Sequence, residues 1–290
     1  IYHFHDPELI PFGLKLKKLG KKVIYDSHED TPSDILNKHW IPKFMRPIVS
    51  KCYQWYEASA VKKFDGLVSV TPHIVDRLKS HNTNTYLITN YPILRNFPLS
   101  KQEITEETDK TICFVGRISD ESIQSNIVKS LNRVKDAKYI LAGPADPKFI
   151  HELSKIEGWE YCNYEGPIKF SESPQFFSKA IAGMQLTDYI PNFGYKLGSL
   201  GNTKLFAYMS AGLPIICTDL VLWREIMDTY DCGICVNPHD IDQISSAIRY
   251  IIDDPQRARK MGENGRRAVL EKYNWSSQIP SLLDLYKSLS

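Results

Sequence analysis

Short apolar runs alternate with longer segments of helical periodicity along this chain, and that alternation restricts the fold more than any other feature. TICFVG (111–116), AKYILAG (137–143), WEYCNYEG (159–166), AGMQLTD (182–188), LPIICTD (213–219) and GICVNP (233–238) read as strands. Helical patterns fall between them near 122–135, 146–156, 173–181 and 203–211, and two more follow at 240–253 and 255–272. A strand followed each time by a helix implies parallel βαβ units, with right-handed crossovers and helices on both faces of a sheet. The class is α/β.

The first hundred residues carry the same rhythm in shorter form. KKVIYDS (21–27), DGLVSVT (65–71) and TYLITNY (85–91) read as strands. A helix is expected over 33–64, its aromatic residues Trp40, Phe44, Tyr53, Trp55 and Tyr56 used for packing, and a short helix over 72–81 opened by Thr71-Pro72. PLSKQEITEETDK (98–110) breaks the apolar rhythm and reads as a linker. The expected organisation is therefore two doubly wound units: a partial domain at 1–100 and a second at 101–272, with a final amphipathic helix from 273–290 returning to the first. About three strands in the first unit, and an opening IYHFHD without initiator Met or leader, lead us to expect upstream sequence. Ligands of such sheets lie at the carboxyl ends of the strands, here in a cleft between facing units.

Charge and cysteine content remove several function classes. The net charge is only +2, which does not suggest nucleic acid as a partner. Residues 1–100 hold 14 Lys/Arg against 9 Asp/Glu, with a cluster at Lys15, Lys17, Lys18, Lys21 and Lys22. That cluster fits an anionic membrane surface or an anionic substrate, and equally a solvated helix face. No apolar run reaches the roughly 20 residues that span a bilayer. The six cysteines are scattered, and Cys232-x-x-Cys235 lacks the second pair or flanking histidines of a zinc site. A reduced, cytoplasmic setting is expected.

GSLGNTK (198–204), directly before a helix, has the makings of an anion site. A helix start leaves backbone N–H groups unpaired and carries partial positive charge. Gly198 and Gly201 permit a tight turn, Asn202 or Thr203 can cap, and Lys204 adds a full charge. Glycine and Asn before a helix are also ordinary chain punctuation.

NTKLFAYMSAGLPIICTDLVLWREI, CGICVNPHD and MGENGRRAVLEKYNW together resemble the C-terminal domain of the family 4 glycosyltransferases, retaining enzymes of GT-B fold. YHFHDPELI and IYDSHED resemble two turns of that family's N-terminal domain, so the resemblance runs through the whole chain in order. It implies two Rossmann-like units facing a cleft and transfer of a sugar, from a UDP-sugar by default, to a glycan or lipid-linked acceptor. The setting implied is bacterial surface-polysaccharide or capsule synthesis at the inner face of the plasma membrane. The nucleobase would lie near Gly166, Pro167 and Ile168. The diphosphate would meet Gly201, Asn202 and Thr203, with Gly116, Arg117 and Lys204. Fixed donors there would neutralise the leaving diphosphate without a metal or other cofactor. His5 matches a family histidine near the reacting sugar, flanked by His3, Asp6 and His28, and would hydrogen-bond the sugar or handle a proton. Four positions depart from the family pattern: Ser199 and Ala207 stand where a Glu-x7-Glu pair is usual, and Ser122-Ile123 replaces Lys-Gly. The departures leave a second expectation open, a GT-B subunit impaired in catalysis.

Overall fold

The computed structural model describes residues 1–96 and 110–290; the expected linker, except Lys110, and the boundary at 100/101 lie outside the described residues. The chain forms two compact units. One comprises Ile1–Tyr91, Tyr189–Gly201 and Trp275–Ser290, the other Pro92–Asp188 and Asn202–Asn274.

The first unit is built on a parallel sheet in the order β1 (Tyr2–His5), β2 (Val23–Ser27), β3 (Gly66–Ser69), β4 (Thr85–Leu87). It has four strands rather than about three, because the histidine-bearing YHFH pairs in parallel with β2, His5 opposite Asp26. Alternation sends β2 side chains to two cores. Val23 and Tyr25 join Ile10, Val61, Phe64, Leu67 and Leu78 on one side, where Phe4 also packs. On the other side Ile24, Val68 and Ile88 pack with Leu285, while Trp275, Leu282 and Tyr286 close the edge of that cluster. Leu285 belongs to the last helix, Ile279–Leu289.

The single helix expected over 33–64 is instead two, Thr31–Ile35 and Arg46–Val61. Pro42 cannot donate a helical N–H and disfavours helix at the residue before it, while Pro47 sits in the first turn of the second piece. Arg46 ties the break together, donating from Nε to Ile41 O (2.9 Å) and from Nη1 to Leu36 O (3.3 Å). The aromatic residues divide as well. Tyr53 and Tyr56 pack within 6.2 Å of each other, but Trp40, Phe44 and Trp55 are 75%, 78% and 75% exposed. They are surface residues, contrary to the packing role expected.

The second unit is a six-stranded parallel sheet. Its strands are β5 (Thr111–Val115), β6 (Lys138–Ala142), β7 (Cys162–Tyr164), β8 (Ala182–Gln185), β9 (Ile215–Thr218) and β10 (Gly233–Val236). Their spatial order is β10-β9-β8-β5-β6-β7. The chain winds outward from β5 to β7, then restarts beside β5 and winds the other way. Strand order therefore reverses between β5 and β8, the place where doubly wound sheets open a crevice for ligands. Several elements are shorter than expected. The helix near 122–135 covers only Gln124–Leu131, because Ile123 adopts a left-handed conformation (φ 54°) between it and a preceding 3-10 turn. The run 159–166 contributes strand only over Cys162–Tyr164.

Candidate active site

Three successive strands of the second sheet end in glycine at the carboxyl edge: Gly116 after β5, Gly143 after β6 and Gly166 after β7. All three have positive φ, at 154°, 141° and 79°. Gly116 N–H donates to Ala142 O (2.9 Å) and Gly143 N–H to Gly166 O (2.8 Å), so the turns form one row. A Cβ on Gly143 would fall 2.0 Å from Gly116 O, and no other residue fits that approach. Gly143 is absent from the residues read from sequence. Two strand spacings, about 10 Å, separate Gly116 from Gly166. Pro167 is exposed and Ile168 half-buried on the turn beyond it.

The helix Thr203–Ala211 begins beside this row. Asn202 is its cap: Oδ1 accepts the N–H groups of Lys204 (3.2 Å) and Leu205 (3.3 Å). Gly201 differs from the role expected of it, since its N–H donates to Ser199 Oγ (3.0 Å) and it packs with the first unit, against Val70. The amides that helix geometry leaves outward-facing are those of Asn202 and Thr203.

Lys204 is the most telling side chain here. Its stem crosses Gly116, and Nζ stands 5.2 Å from the centroid of the Phe114 ring. Burial pushes its ammonium below the ordinary lysine pKa. Among the described residues no carboxylate pairs with it, whereas buried cations are normally paired. Arg117, the next residue after Gly116, is exposed. An unpaired ammonium, a guanidinium and a capped helix start thus gather at the end of β5, an arrangement suited to a multiply charged anion.

The first unit holds a second cluster. Asp26 Oδ2 lies 3.2 Å from His5 Nδ1, 3.3 Å from His28 Nε2 and 3.7 Å from His3 Nε2. Burial works to raise the Asp26 carboxyl, but the contacts from His28 and His3 outweigh it and hold the group down at about 2. The same carboxylate raises His28, against the opposing effect of its burial. His5 is exposed and stacks on His3 (centroids 5.2 Å apart). Asp6 takes a strained positive φ of 68° at the turn that follows. Asp26 escapes a sequence reading because its burial depends on the β1–β2 register.

The four departures from the family pattern are buried, and the two serines among them are hydrogen-bonded locally. Ser122 Oγ accepts from Ser119 N–H (3.0 Å) and donates to Ser119 O (2.7 Å). Ser199 serves Gly201 as above. Ala207 is 2% exposed and lies one helical turn beyond Lys204. The cysteines pair differently from their spacing: Cys235 Sγ neighbours Cys217 Sγ (3.7 Å) across β9 and β10, and Cys232 turns toward Met227.

Similarity to known proteins agrees with this architecture. An α-D-kanosaminyltransferase of Streptomyces kanamyceticus is 21% identical over 93% of this chain and 72% of its own length. An MMP α-(1→4)-mannosyltransferase of Mycolicibacterium hassiacum is 28% identical over 80 residues, 27% of this chain. An uncharacterized glycosyltransferase of Methanocaldococcus jannaschii is 26% identical over 61% of it. The chain spans only 20% and 45% of the length of the last two. Among solved structures, sucrose-phosphate synthase from Thermosynechococcus elongatus superposes with a TM-score of 0.75 at 18% identity, covering 99% of this chain and 73% of that one. Anabaena HepE in complex with UDP and glucose superposes with a TM-score of 0.75 at 12% identity, covering 99% and 78%. At such identities the likeness speaks for the fold, which is that of GT-B glycosyltransferases. The family profile described as "Glycosyl transferases group 1" matches residues 96–268, more than half of the sequence, and the chain belongs to that family.

Proposed function

We propose that this chain is a retaining, family 4 glycosyltransferase that moves a sugar from a nucleoside-diphosphate sugar, by default a UDP-sugar, to a glycan or lipid-linked acceptor. The observation that carries the reading is the unpaired, partly buried Lys204 ammonium beside Gly116 at the sheet's switch point. A buried cation without a protein counter-charge is costly unless a ligand supplies one. The diphosphate fits: Asn202 and Thr203 offer amides, Arg117 a guanidinium and Lys204 an ammonium. Charge grows on that diphosphate as the glycosidic bond breaks, so these fixed donors favour the transition state over bound donor sugar, with no metal required for it. The row Gly116–Gly143–Gly166 admits the nucleotide close to backbone, with Gly166, Pro167 and Ile168 meeting the base. HepE, which shares the fold, has been solved with UDP and glucose, and this makes UDP the first nucleotide to try. His5, exposed at the end of β1, would hydrogen-bond the sugar or its acceptor.

Surface-polysaccharide synthesis at the cytoplasmic face of a membrane is the setting we infer. Among the described residues no helix is long and apolar enough to cross a membrane. Trp40, Phe44, Ile48 and Trp55 are exposed beside Lys43, Arg46 and Lys51, a combination suited to an anionic lipid surface.

The test is calorimetric titration of the full chain with UDP, then a panel of nucleotide sugars assayed for release of nucleoside diphosphate. We expect UDP to bind wild type and to bind Lys204→Met at least tenfold more weakly. UDP that binds both equally would overturn the site. The buried Ser122, Ser199 and Ala207 favour a second reading, a subunit that holds the donor without turning it over. Binding without release from any donor, with glycan and lipid-linked acceptors present, would select it.

A further inference from the structure

The histidines of the first unit form a more specific arrangement than sugar contact requires. HFH places His3 and His5 on the same side of β1, since alternate residues of a strand share a face. The parallel register sets His5 directly beside Asp26. Around Asp26 Oδ2 the nitrogens stand at 3.2 Å (His5 Nδ1), 3.3 Å (His28 Nε2) and 3.7 Å (His3 Nε2), and His5 Nδ1 lies 2.9 Å from His28 Nε2. Four ligands held tetrahedrally at about 2.0–2.1 Å from a zinc ion are about 3.3 Å from one another. The four separations given above scatter around that value. The ligating atoms of His3, His5 and Asp26 all lie within 4.8 Å of one another.

The outer contacts prepare the same atoms. His3 Nδ1 meets Tyr286 Oη at 2.8 Å, which leaves Nε2 aimed at Asp26. His28 Nδ1 stands 3.1 Å from Asn90 Nδ2, a donor; turning that amide over, so that its oxygen accepts, would put the proton on Nδ1 and leave a lone pair on Nε2 for a cation. Asp26 is only 7% exposed, and both its Oδ1 and His3 Nε2 are buried without a hydrogen-bond partner. Buried polar atoms left unpartnered are destabilising, and a cation would satisfy His3 Nε2 directly and Asp26 Oδ1 where the carboxylate binds through both oxygens.

We propose that His3, His5 and Asp26, with His28 as a fourth donor, bind a divalent first-row transition-metal ion, Zn²⁺ matching the donor set best. Imidazoles with one carboxylate suit Zn²⁺, Co²⁺ or Ni²⁺, while Mg²⁺ and Ca²⁺ take oxygen ligands. The site lies wholly in the first unit; it shares His5 with the sugar-side role proposed above and uses none of the residues assigned to the diphosphate. All six cysteines are free, so the Cys217–Cys235 pair is the rival metal binder.

Metal-stripped full chain is dialysed against ZnCl₂ and, separately, CoCl₂. We expect one equivalent of Zn²⁺ per chain. The Co²⁺ form should show visible bands of a four-coordinate site without thiolate charge-transfer absorption. His3→Gln and Asp26→Asn should each lower affinity at least tenfold, and Zn²⁺ should raise the melting temperature of wild type but not of these variants. Because Asp26 is buried and its replacement can disturb folding, His5→Gln removes a ligand at an exposed position and should lower affinity to a similar degree with the fold intact. Absence of uptake overturns the site. So does uptake unchanged in all three variants, or a thiolate band removed by Cys235→Ser.

Discussion

The Lys204 side chain lies across Gly116, so close that a Cβ on Gly116 would stand 2.7 Å from Lys204 Cδ. The contact joins the end of β5 to the start of the helix Thr203–Ala211, and it makes glycine at 116 a condition for where the ammonium sits.

Gly116→Ala should therefore displace Lys204 as well as strain a backbone at φ 154°. We expect a stability loss of about 1–3 kcal/mol, read from urea denaturation, together with weaker UDP binding. Gly143→Ala should cost more, about 3 kcal/mol or above, because its Cβ would meet the Gly116 carbonyl at 2.0 Å and backbone cannot swing aside. Equal losses for the two variants would contradict this geometry.

Lys204→Met keeps the stem against Phe114 and removes the charge. UDP affinity should fall about 10- to 100-fold, the equivalent of about 1.5–3 kcal/mol for a lost charged hydrogen bond. The pH dependence has a definite sign. Burial lowers the folded pKa of Lys204 below 10.5, so between the two values the unfolded chain binds more protons and the stability of free wild type rises with pH. If the diphosphate of UDP pairs with Lys204 as proposed, it selects the charged form, and UDP affinity should fall as pH climbs through the lowered pKa. Lys204→Met should lose this contribution to both trends, measured by denaturation and calorimetry across alkaline pH.

The second sheet was legible in the sequence because strands buried on both faces read as unbroken apolar runs, as in TICFV and IICT. The helix start at Asn202 was legible for a local reason too, since a cap acts within three residues. What escaped depends on distant neighbours. The opening IYHFHD reads as strand-like, but its parallel pairing with β2, which buries Asp26 among histidines, is not a local property. Gly143 looks like punctuation until Gly116 O, 27 positions earlier, approaches it. Trp40, Phe44 and Trp55 resemble core residues in composition, and only the break at Pro42 and the facing of Arg46–Val61 put them outside.

The first unit also holds a buried ion pair. Arg77 Nη1 bonds Glu57 Oε2, and Nη2 stands 3.3 Å from Asp30 Oδ1. Glu57 is fully buried, which raises its carboxyl pKa despite the guanidinium. Arg77→Met would leave two carboxylates buried together. We expect a loss of about 3–5 kcal/mol in urea denaturation, and the double variant Arg77→Met with Glu57→Leu should recover part of it.

If the exposed aromatics meet a membrane, the chain should float with vesicles containing phosphatidylglycerol and not with phosphatidylcholine alone. Salt should weaken the association, since each basic side chain near an anionic surface contributes about 1 kcal/mol and is screened within a Debye length. Replacing Trp40, Phe44 and Trp55 together by Ser should abolish flotation without lowering stability, because the three rings are already in water. Flotation that survives the triple variant would place the contact elsewhere.

Ala207 lies one turn beyond Lys204 and is 2% exposed, so Ala207→Glu puts a carboxylate where water cannot reach it. In the free protein that change should lower the melting temperature, the penalty reduced only as far as the introduced carboxylate can lean toward Lys204, three residues back. Ribose hydroxyls arriving beside the helix would supply the missing donors. A ligand stabilises in proportion to the logarithm of its concentration over its dissociation constant, so UDP should raise the melting temperature of Ala207→Glu more than that of wild type. Turnover that appears or rises in the same variant would identify an enzyme short of one contact. A larger UDP shift with no turnover would identify a donor-binding subunit. A shift no larger than wild type would mean that Ala207 does not face the ribose at all.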